Sequence, residues 1–362
     1  LSKEFIMNRL ARKIVLFGAV IIAILLIVLY FASRKMLQEV ESRLNQGMEF
    51  ARIQVKEAQS SQYGIQSFDY TPFKCSGLMD YKCKSEKITI YMDDFTTSHH
   101  DIHESIRLHN FTLSSEDIKS KNHLSFRVKT DIEYPTMNKF FGDSTKEPLI
   151  AFFNHSADSL LPNQLECEQD YLYKTDEGTS HTITANTQCN LISQMFSTNI
   201  ESVNVFTPNA ERTHIIGILY DIAMAMNGDS NKEELQAQNI PHELLSLKFN
   251  IQPKQSFKDF LAANDKLTSE QKKTLETQFE ANLSLMKLIG TPFLASYIGT
   301  NSQTLIQGVS DIMQNKSKEL DIQLTLKNPP NFQPLKVFKS MSVTDWLSYF
   351  NKNYDIVVNT KE

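Results

Sequence analysis

The sequence predicts an α+β fold: an N-terminal transmembrane helix and helical stalk, followed by a mainly antiparallel, β-rich ectodomain with C-terminal helices. Three features carry that expectation. One is a nineteen-residue apolar run from Ile14 to Ala32. The second is a series of alternating polar and apolar segments between Gln66 and Thr207, and the third is a set of helix signals lying between late strand-like segments. Strands first, then helices flanked by strands, is the α+β order.

The apolar run comes first. Ile14 to Ala32 includes Ile14, Leu25 and Leu29 and carries no ionisable group except Tyr30. At about 1.5 Å per residue it reaches roughly 28 Å, enough to cross a bilayer core. In hydrocarbon the backbone must satisfy its own hydrogen bonds, so the span is a helix. Tyr30 and Phe31 fall at its far end, where aromatic rings suit the interface. The run is longer than a signal-peptide core, and Tyr30 occupies the −3 position for a cut after Ala32, where a small residue is needed. The reading is an uncleaved signal anchor. Lys3, Arg9, Arg12 and Lys13 precede it against a single acid, Glu4, which keeps residues 1–13 cytosolic and sends the rest outside, into a periplasm if the cell is bacterial.

Composition narrows what lies beyond. The chain has 362 residues, 41% hydrophobic and 22% charged, so its bulk is globular. Only 11 glycines argue against Gly-rich phosphate loops. Residues 1–43 carry seven Lys/Arg and three Asp/Glu, which leaves 30 basic and 39 acidic residues beyond them, a net charge of −9. That leaves no basic footprint for nucleic acid or for anionic headgroups.

Residues 33–62 read as a helical stalk, with Met36, Leu37, Val40, Leu44, Met48, Phe50 and Ala51 recurring at mixed three- and four-residue steps. It packs either on the ectodomain or on another copy of itself. Residues 63–208 form a β-rich part, with strands expected at Lys87–Phe95, Ile106–Leu113, His123–Tyr134, Pro148–Asn154, Leu165–Lys174, Ser180–Cys189 and Ile200–Thr207. Residues 209–362 form an α+β part. Its helices are expected at Arg212–Met226, from Thr268 to about Leu288, at Ser302–Asn315 and at Ser342–Phe350. Its strands are expected at Leu244–Ile251, Leu320–Leu326, Leu335–Phe338 and Tyr354–Val358. Thr268-Ser269-Glu270-Gln271 is a capping box, and Gly290-Thr291-Pro292 reads as a helix break.

Four cysteines, Cys75, Cys83, Cys167 and Cys189, all follow the apolar run, and none forms Cys-x-x-Cys. A hairpin centred on Gly178 sets residue 167 opposite residue 189, within disulfide reach. The expected pairs are Cys167–Cys189 and, by elimination, Cys75–Cys83.

Signals for chemistry are sparse. His99 or His100 with His103 gives the spacing of two imidazoles on one helical face, and Asp93, Asp94 or His109 would complete a zinc or copper site. The plain alternative is a solvated loop between strands. Gly142-Asp143-Ser144 and Gly228-Asp229-Ser230 read as turns, because neither follows the apolar strand a nucleophile elbow requires. Ser269 and Lys272 match the Ser-x-x-Lys of penicillin-binding enzymes, but the companion motifs are missing downstream, so the capping box takes precedence. Asn110, Asn154, Asn282 and Asn315 head glycosylation triplets that matter only in a eukaryote. Ile215–Met226 and Leu283–Leu294 are too short to span a membrane and suit either core helices or the wall of a lipid groove.

The basic tail, the anchor, the polar stretch Arg34 to Gln59, a strand-rich body opening near Tyr70 to Ile90, and helices between late strands together resemble the YdgA-like family of bacterial inner-membrane-anchored periplasmic proteins. The resemblance covers the layout of most of the ectodomain and brings no catalytic residues with it. It implies a single-pass inner-membrane protein with its C-terminal domain in the periplasm.

The expected function is a non-enzymatic, membrane-anchored scaffold or interaction protein of the cell envelope. It would hold the lipid bilayer through one helix, meet other envelope proteins or a second copy, and need no cofactor. The alternatives are a module that binds a lipid or hydrophobic ligand, and a sensor ectodomain.

Overall fold

The computed structural model describes residues 35, 37–53, 65–77, 81–93, 102–115, 122–134, 161–175, 181–207, 241–328 except 266, 333–334 and 343–361. Among them the architecture is α+β, with one large antiparallel sheet and helices concentrated at the C-terminal end. The strands are β1 (Ile65–Tyr70), β2 (Lys74–Ser76), β3 (Tyr81–Asp93), β4 (Ile102–Ser115), β5 (His123–Glu133), β6 (Gln164–Thr175), β7 (His181–Ile192), β8 (Phe196–Phe206), β9 (Pro241–Pro253), β10 (Glu319–Leu326), β11 (Gln333–Pro334) and β12 (Tyr354–Lys361). The helices are α1 (37–53), α2 (Phe257–Ala263), α3 (Ser269–Leu285), α4 (Thr291–Ile298), α5 (Asn301–Met313) and α6 (Val343–Asn353), with a π-helical segment, Met286–Gly290, joining α3 to α4.

The sheet is a meander. Its spatial order is β1-β3-β4-β5-β6-β7-β8-β9-β10-β12, with β2 beside β3 and β11 beside β9. Residues directly opposed on antiparallel strands project to the same side, so register alone sorts the two faces. Leu113, Val128, Cys167, Cys189, Ile200, Phe249, Ile322 and Val358 are paired in succession across eight strands. A parallel row on the opposite face runs through Arg127, Glu168, Gln188, Glu201, Lys248 and Gln323. The period-2 alternation seen in Leu124 to Lys129 therefore repeats in register across the sheet: one face apolar, the other polar.

On the polar face, charges ladder across strands. Arg107 pairs with Glu133 at 2.7 Å, Arg127 with Glu168 at 2.9 Å, and Lys129 with Glu166 at 3.7 Å. His109 and Arg107 together hold the Glu133 carboxyl below its usual range, the His109 hydrogen bond contributing most. These side chains are substantially solvated, so they specify register more than they add stability.

The apolar face is packed at both ends. At the first strands α1 lies on it, with Val40, Leu44 and Met48 against Phe73, Cys83, Ile88 and Phe111. At the last strands α5 covers it, with Ile312, Leu305 and Val309 against Leu320, Ile322, Ile356 and Val358. The close approach of α5 depends on Gly308. A Cβ there would sit 2.7 Å from Cδ1 of Leu320 and 2.9 Å from Cγ2 of Thr360. Leu320 is fully buried and has nowhere to move. Gly308→Val is therefore expected to lower stability by about 2 kcal/mol through overpacking. A urea midpoint unchanged from the parent chain would refute that account of the α5–sheet contact.

Beyond α5, the helix pair α2–α3 closes a second cluster of Met195, Phe257, Phe260, Leu261, Leu275, Phe279 and Leu283. Phe257 and Phe279 stack with ring centroids 4.0 Å apart. Leu275, Phe279 and Leu283 recur every four residues, which keeps them on one helical face.

Both expected disulfides are present. Cys167 faces Cys189 and Cys75 faces Cys83 in register, each pair with Cα atoms 4.0 Å apart. Crossed bonds of this kind fit an oxidising, extracytoplasmic compartment.

Two expectations need correction. Gly290-Thr291-Pro292 does not end the helix. The chain passes through the π-helical segment and continues as α4, because Pro292 sits in the first turn, where its missing N–H is not needed. The real stop is Gly299, with φ +58°. Secondly, β9 begins at Pro241 rather than Leu244, which brings His242 and Glu243 into the sheet. The anchor residues Ile14, Leu25, Leu29 and Tyr30 lie outside the described residues, as do Pro148–Asn154, Arg212–Met226 and Leu335–Phe338. No helix among the described residues is long and apolar enough to cross a membrane.

Candidate interaction surface

Three local arrangements stand out from the rest of the fold: the joint between α1 and the sheet, a buried polar cluster at the start of β9, and an exposed apolar ridge on the helical cap.

The α1 joint is made by polar groups as well as by packing. Asn45 spans the backbone of Phe73: its Oδ1 accepts from Phe73 N at 2.8 Å and its Nδ2 donates to Phe73 O at 3.1 Å. This amide does what a neighbouring strand would do, satisfying both backbone groups of a residue that is almost fully buried. Tyr70 Oη donates to the Asn45 carbonyl at 2.9 Å, and Cys75 N donates to Glu41 Oε2 at 2.9 Å. Among the described residues α1 packs on the sheet, the first of the two options left open by the sequence. The Cys75–Cys83 bridge lies directly beneath, so α1, β2 and β3 form one cross-braced unit.

The polar cluster sits where α6 turns into β12. Glu243 is 2% exposed, the one ionisable side chain among the buried polar residues described. Its Oε1 accepts from Tyr349 Oη at 3.2 Å and lies 3.2 Å from Tyr354 Oη, whose single proton is shared between it and the closer Leu244 carbonyl at 2.6 Å. Burial, reinforced by the Glu243 charge, pushes the Tyr349 hydroxyl up to about 12. The Tyr354 hydroxyl is raised further, again chiefly by burial. Beside them His242 packs its ring 4.8 Å from that of Phe206, with Nε2 3.1 Å from Oδ1 of Asn204. Burial lowers the imidazole to about 4. The hydroxyls are neutral at ordinary pH and the carboxyl is held by two of them, so the arrangement clips α6 and β12 to β9 rather than offering an acid and a base to a substrate.

His242 gives the cluster a pH signature. The unfolded chain takes up a proton on this imidazole near pH 6.5, while the folded chain resists until about pH 4. Stability is full above the unfolded value and is lost as pH falls from 6.5 towards 4, by about 3 kcal/mol. His242→Phe should flatten that limb of the urea-midpoint profile; an acid limb identical to the parent's would show that this histidine does not govern it.

The ridge is the longest run of exposed large apolar side chains among the described residues. Leu285, Leu288, Ile289 and Phe293 are 51%, 73%, 60% and 56% exposed, and they follow one another within nine residues of α3, the π segment and α4. Their spacing keeps them on one side of a continuous helix, away from Leu275, Phe279 and Leu283, which face the core. Phe293 rests against Tyr297, ring centroids 5.4 Å apart. Between this helix and α5 lies a cleft of about 360 Å³, lined by Lys287, Leu288, Pro292, Gln303 and Ile306 among others. The sequence marked Leu283–Leu294 as apolar. Which half of it stays outside is decided by the π segment, and the only hint of that was the lysine and proline interleaved with the leucines.

The remaining expected sites divide as follows. His103 is a β4 residue, so its backbone is extended and the one-face helical spacing with His99 or His100 does not hold at that position; His99 and His100 themselves lie outside the described residues. Among the described residues no three His, Cys, Asp or Glu side chains gather as a metal-binding group. Ser269 and Lys272 open α3, where Thr268 and Gln271 form the reciprocal capping box and Lys272 Nζ donates to the Ala262 carbonyl at 2.7 Å. That accounts for the Ser-x-x-Lys spacing structurally. Comparison with known proteins leaves the assignment to this geometry: no family model matches the chain, and no curated protein matches it.

Proposed function

We propose that this chain is a membrane-anchored, extracytoplasmic scaffold or interaction protein of the cell envelope, held by the apolar run Ile14–Ala32 and working without catalysis. The observation that carries the reading is the clamped joint of α1. A domain meant to roam from its anchor is served by a flexible linker. Here the segment nearest the anchor is fixed to the sheet through Asn45, Glu41 and Tyr70, beside a disulfide. The sheet then extends away from it by seven strand spacings to β10, roughly 34 Å at about 4.8 Å each. Such a frame sets one end of the domain at a defined place relative to the other. The layout shared with the YdgA-like family supports the same reading, as does the oxidising compartment that the disulfides imply.

The test is native mass spectrometry of the full chain extracted gently from its own membrane. Co-purifying subunits at fixed stoichiometry are the expected result. A chain that leaves the membrane in carbonate wash, with no partner retained, would overturn the reading.

One observation favours a second reading, a module for a lipid or hydrophobic ligand. The apolar row Leu113, Val128, Cys167, Cys189 and Ile200 is half-buried rather than sealed. A stoichiometric lipid released on unfolding the purified chain would favour this reading over the scaffold.

A further inference from the structure

We infer that the ridge of Leu285, Leu288, Ile289 and Phe293 is a bilayer-contacting edge, seated in the headgroup region of an anionic phospholipid membrane. The inference rests on the anchored reading above, because an anchor tethers the domain to a bilayer at high effective concentration, so that even a weak contact at its far end is populated.

Three observations select lipid among the possible occupants. The first is charge. From Ala281 to Ser310 the chain has no acidic residue and one basic residue, Lys287. Beyond residue 43 the chain carries a net −9 and would be repelled by anionic headgroups, so this thirty-residue stretch is a local exception. Lys287 lies beside Leu288 on the wall of the cleft, where its stem can lie along apolar surface and its ammonium can reach a phosphate at the margin of the ridge. The second is side-chain type. Protein–protein contacts draw their strength from Trp, Tyr and Arg, with Leu under-represented and Lys depleted. The ridge is two leucines, an isoleucine and a phenylalanine, the side-chain types found on the apolar face of a helix lying in a membrane interface. The third is the Phe293–Tyr297 pair, which sets a ring and a phenol side by side at the end of the ridge, as interfacial aromatic anchors do.

Elsewhere among the described residues the exposed large hydrophobics, Phe50, Ile53, Leu172 and Val357, form no comparable run. The 360 Å³ cleft shares Leu288 with the ridge, so a lipid chain or headgroup there would meet both.

The experiment uses the full chain in vesicles of phosphatidylethanolamine and phosphatidylglycerol. Trp346 is the single tryptophan. In a Trp346→Phe background, Phe293→Trp reports on the ridge and Val357→Trp, on an exposed position of β12, serves as control. Lipids brominated on the acyl chains are expected to quench the Phe293→Trp indole at least about twofold more than the control, in keeping with shallow burial of an interfacial face. Leu288→Asp with Ile289→Asp, both at exposed positions, should bring the difference to zero. Equal quenching at both positions overturns the inference. So does protection of the Phe293→Trp indole from aqueous iodide only when a second protein co-purifies, since that would make the ridge a protein interface.

Flotation separates this inference from the reading it rests on. A chain that floats with vesicles but shows no ridge quenching retains its anchor and lacks the bilayer contact. A chain whose flotation is abolished by Leu288→Asp with Ile289→Asp has the contact and lacks the anchor, and one that never floats has neither.

Discussion

Replacing Cys167 and Cys189 together by alanine is expected to destabilise the folded chain by about 3 kcal/mol. The bridge closes a loop of 22 residues, and the entropy that such a closure removes from the unfolded chain is worth about that much at room temperature. The shorter Cys75–Cys83 loop, with a separation of 8, should be worth about 2.5 kcal/mol by the same reasoning. Against a typical total of about 5–15 kcal/mol, either loss is large. The two also differ in kind. Cys167 and Cys189 sit mid-sheet in the apolar row, so their loss should lower the urea midpoint of the whole transition. Cys75 and Cys83 brace the α1 joint, so their loss should also raise hydrogen exchange at Asn45 and Phe73. A Cys167→Ala/Cys189→Ala chain with the parent's midpoint would mean that sheet pairing alone already restrains the unfolded chain.

Tyr354→Ala should cost still more, about 4 kcal/mol. Tyr354 is the largest fully buried side chain described, 1% exposed, and its ring packs edge-on against Phe350 at 5.4 Å. Truncating a ring of that size leaves a cavity the surrounding strands cannot fill. Tyr354→Phe separates the two contributions. It keeps the ring but strips a donor from Glu243 and from the Leu244 carbonyl, for an expected loss of about 1.5 kcal/mol. Thermal melts of the two variants compared with Glu243→Gln would resolve whether the clip or the packing dominates; equal losses for Ala and Phe would reject the cavity argument. The neighbouring Tyr349 adds an alkaline signature. Its hydroxyl is pushed up to about 12, so its contribution is fully present below pH 10 and is lost as pH rises from there towards 12. Tyr349→Phe should remove that part of the alkaline limb.

What was legible in the sequence was local. The Cys167–Cys189 pairing followed from a turn at Gly178 and a two-residue period, and nothing distant intervenes between those strands. The capping box at Thr268 was legible because all its atoms lie within four residues. Segments whose fate is set by contacts far along the chain were misread. β1 and β2 were missed because they are short and gain their order from pairing with β3. The seven-residue helix α2 was missed because Phe257, Phe260 and Leu261 are helical through packing on α3, not through length or propensity. His242 and Glu243 follow a proline and read as polar punctuation. Tyr349 and Tyr354, more than a hundred residues later, make the burial of Glu243 tolerable, and Asn204 on β8 partners His242. The ridge was half legible: its hydrophobicity is in the sequence, but its orientation comes from a π segment for which no sequence rule was available.

The strictly sequential order of the sheet bears on how this chain reaches its folded state. From β3 to β10 each strand lies beside the one made just before it. A polypeptide appearing N-terminus first can therefore grow its sheet one strand at a time from β3, each new strand meeting the edge left by the one before it. The longest wait is that of β9, whose edge stays open until α2 to α5 have been made and β10 arrives. The last addition is different: β12 reaches β10 only after α6 has been laid down and Tyr354 has found Glu243. Pairing of β12 is thus the step that locks the far end, and a chain halted before it would carry a nearly complete sheet with β10 as an uncapped margin.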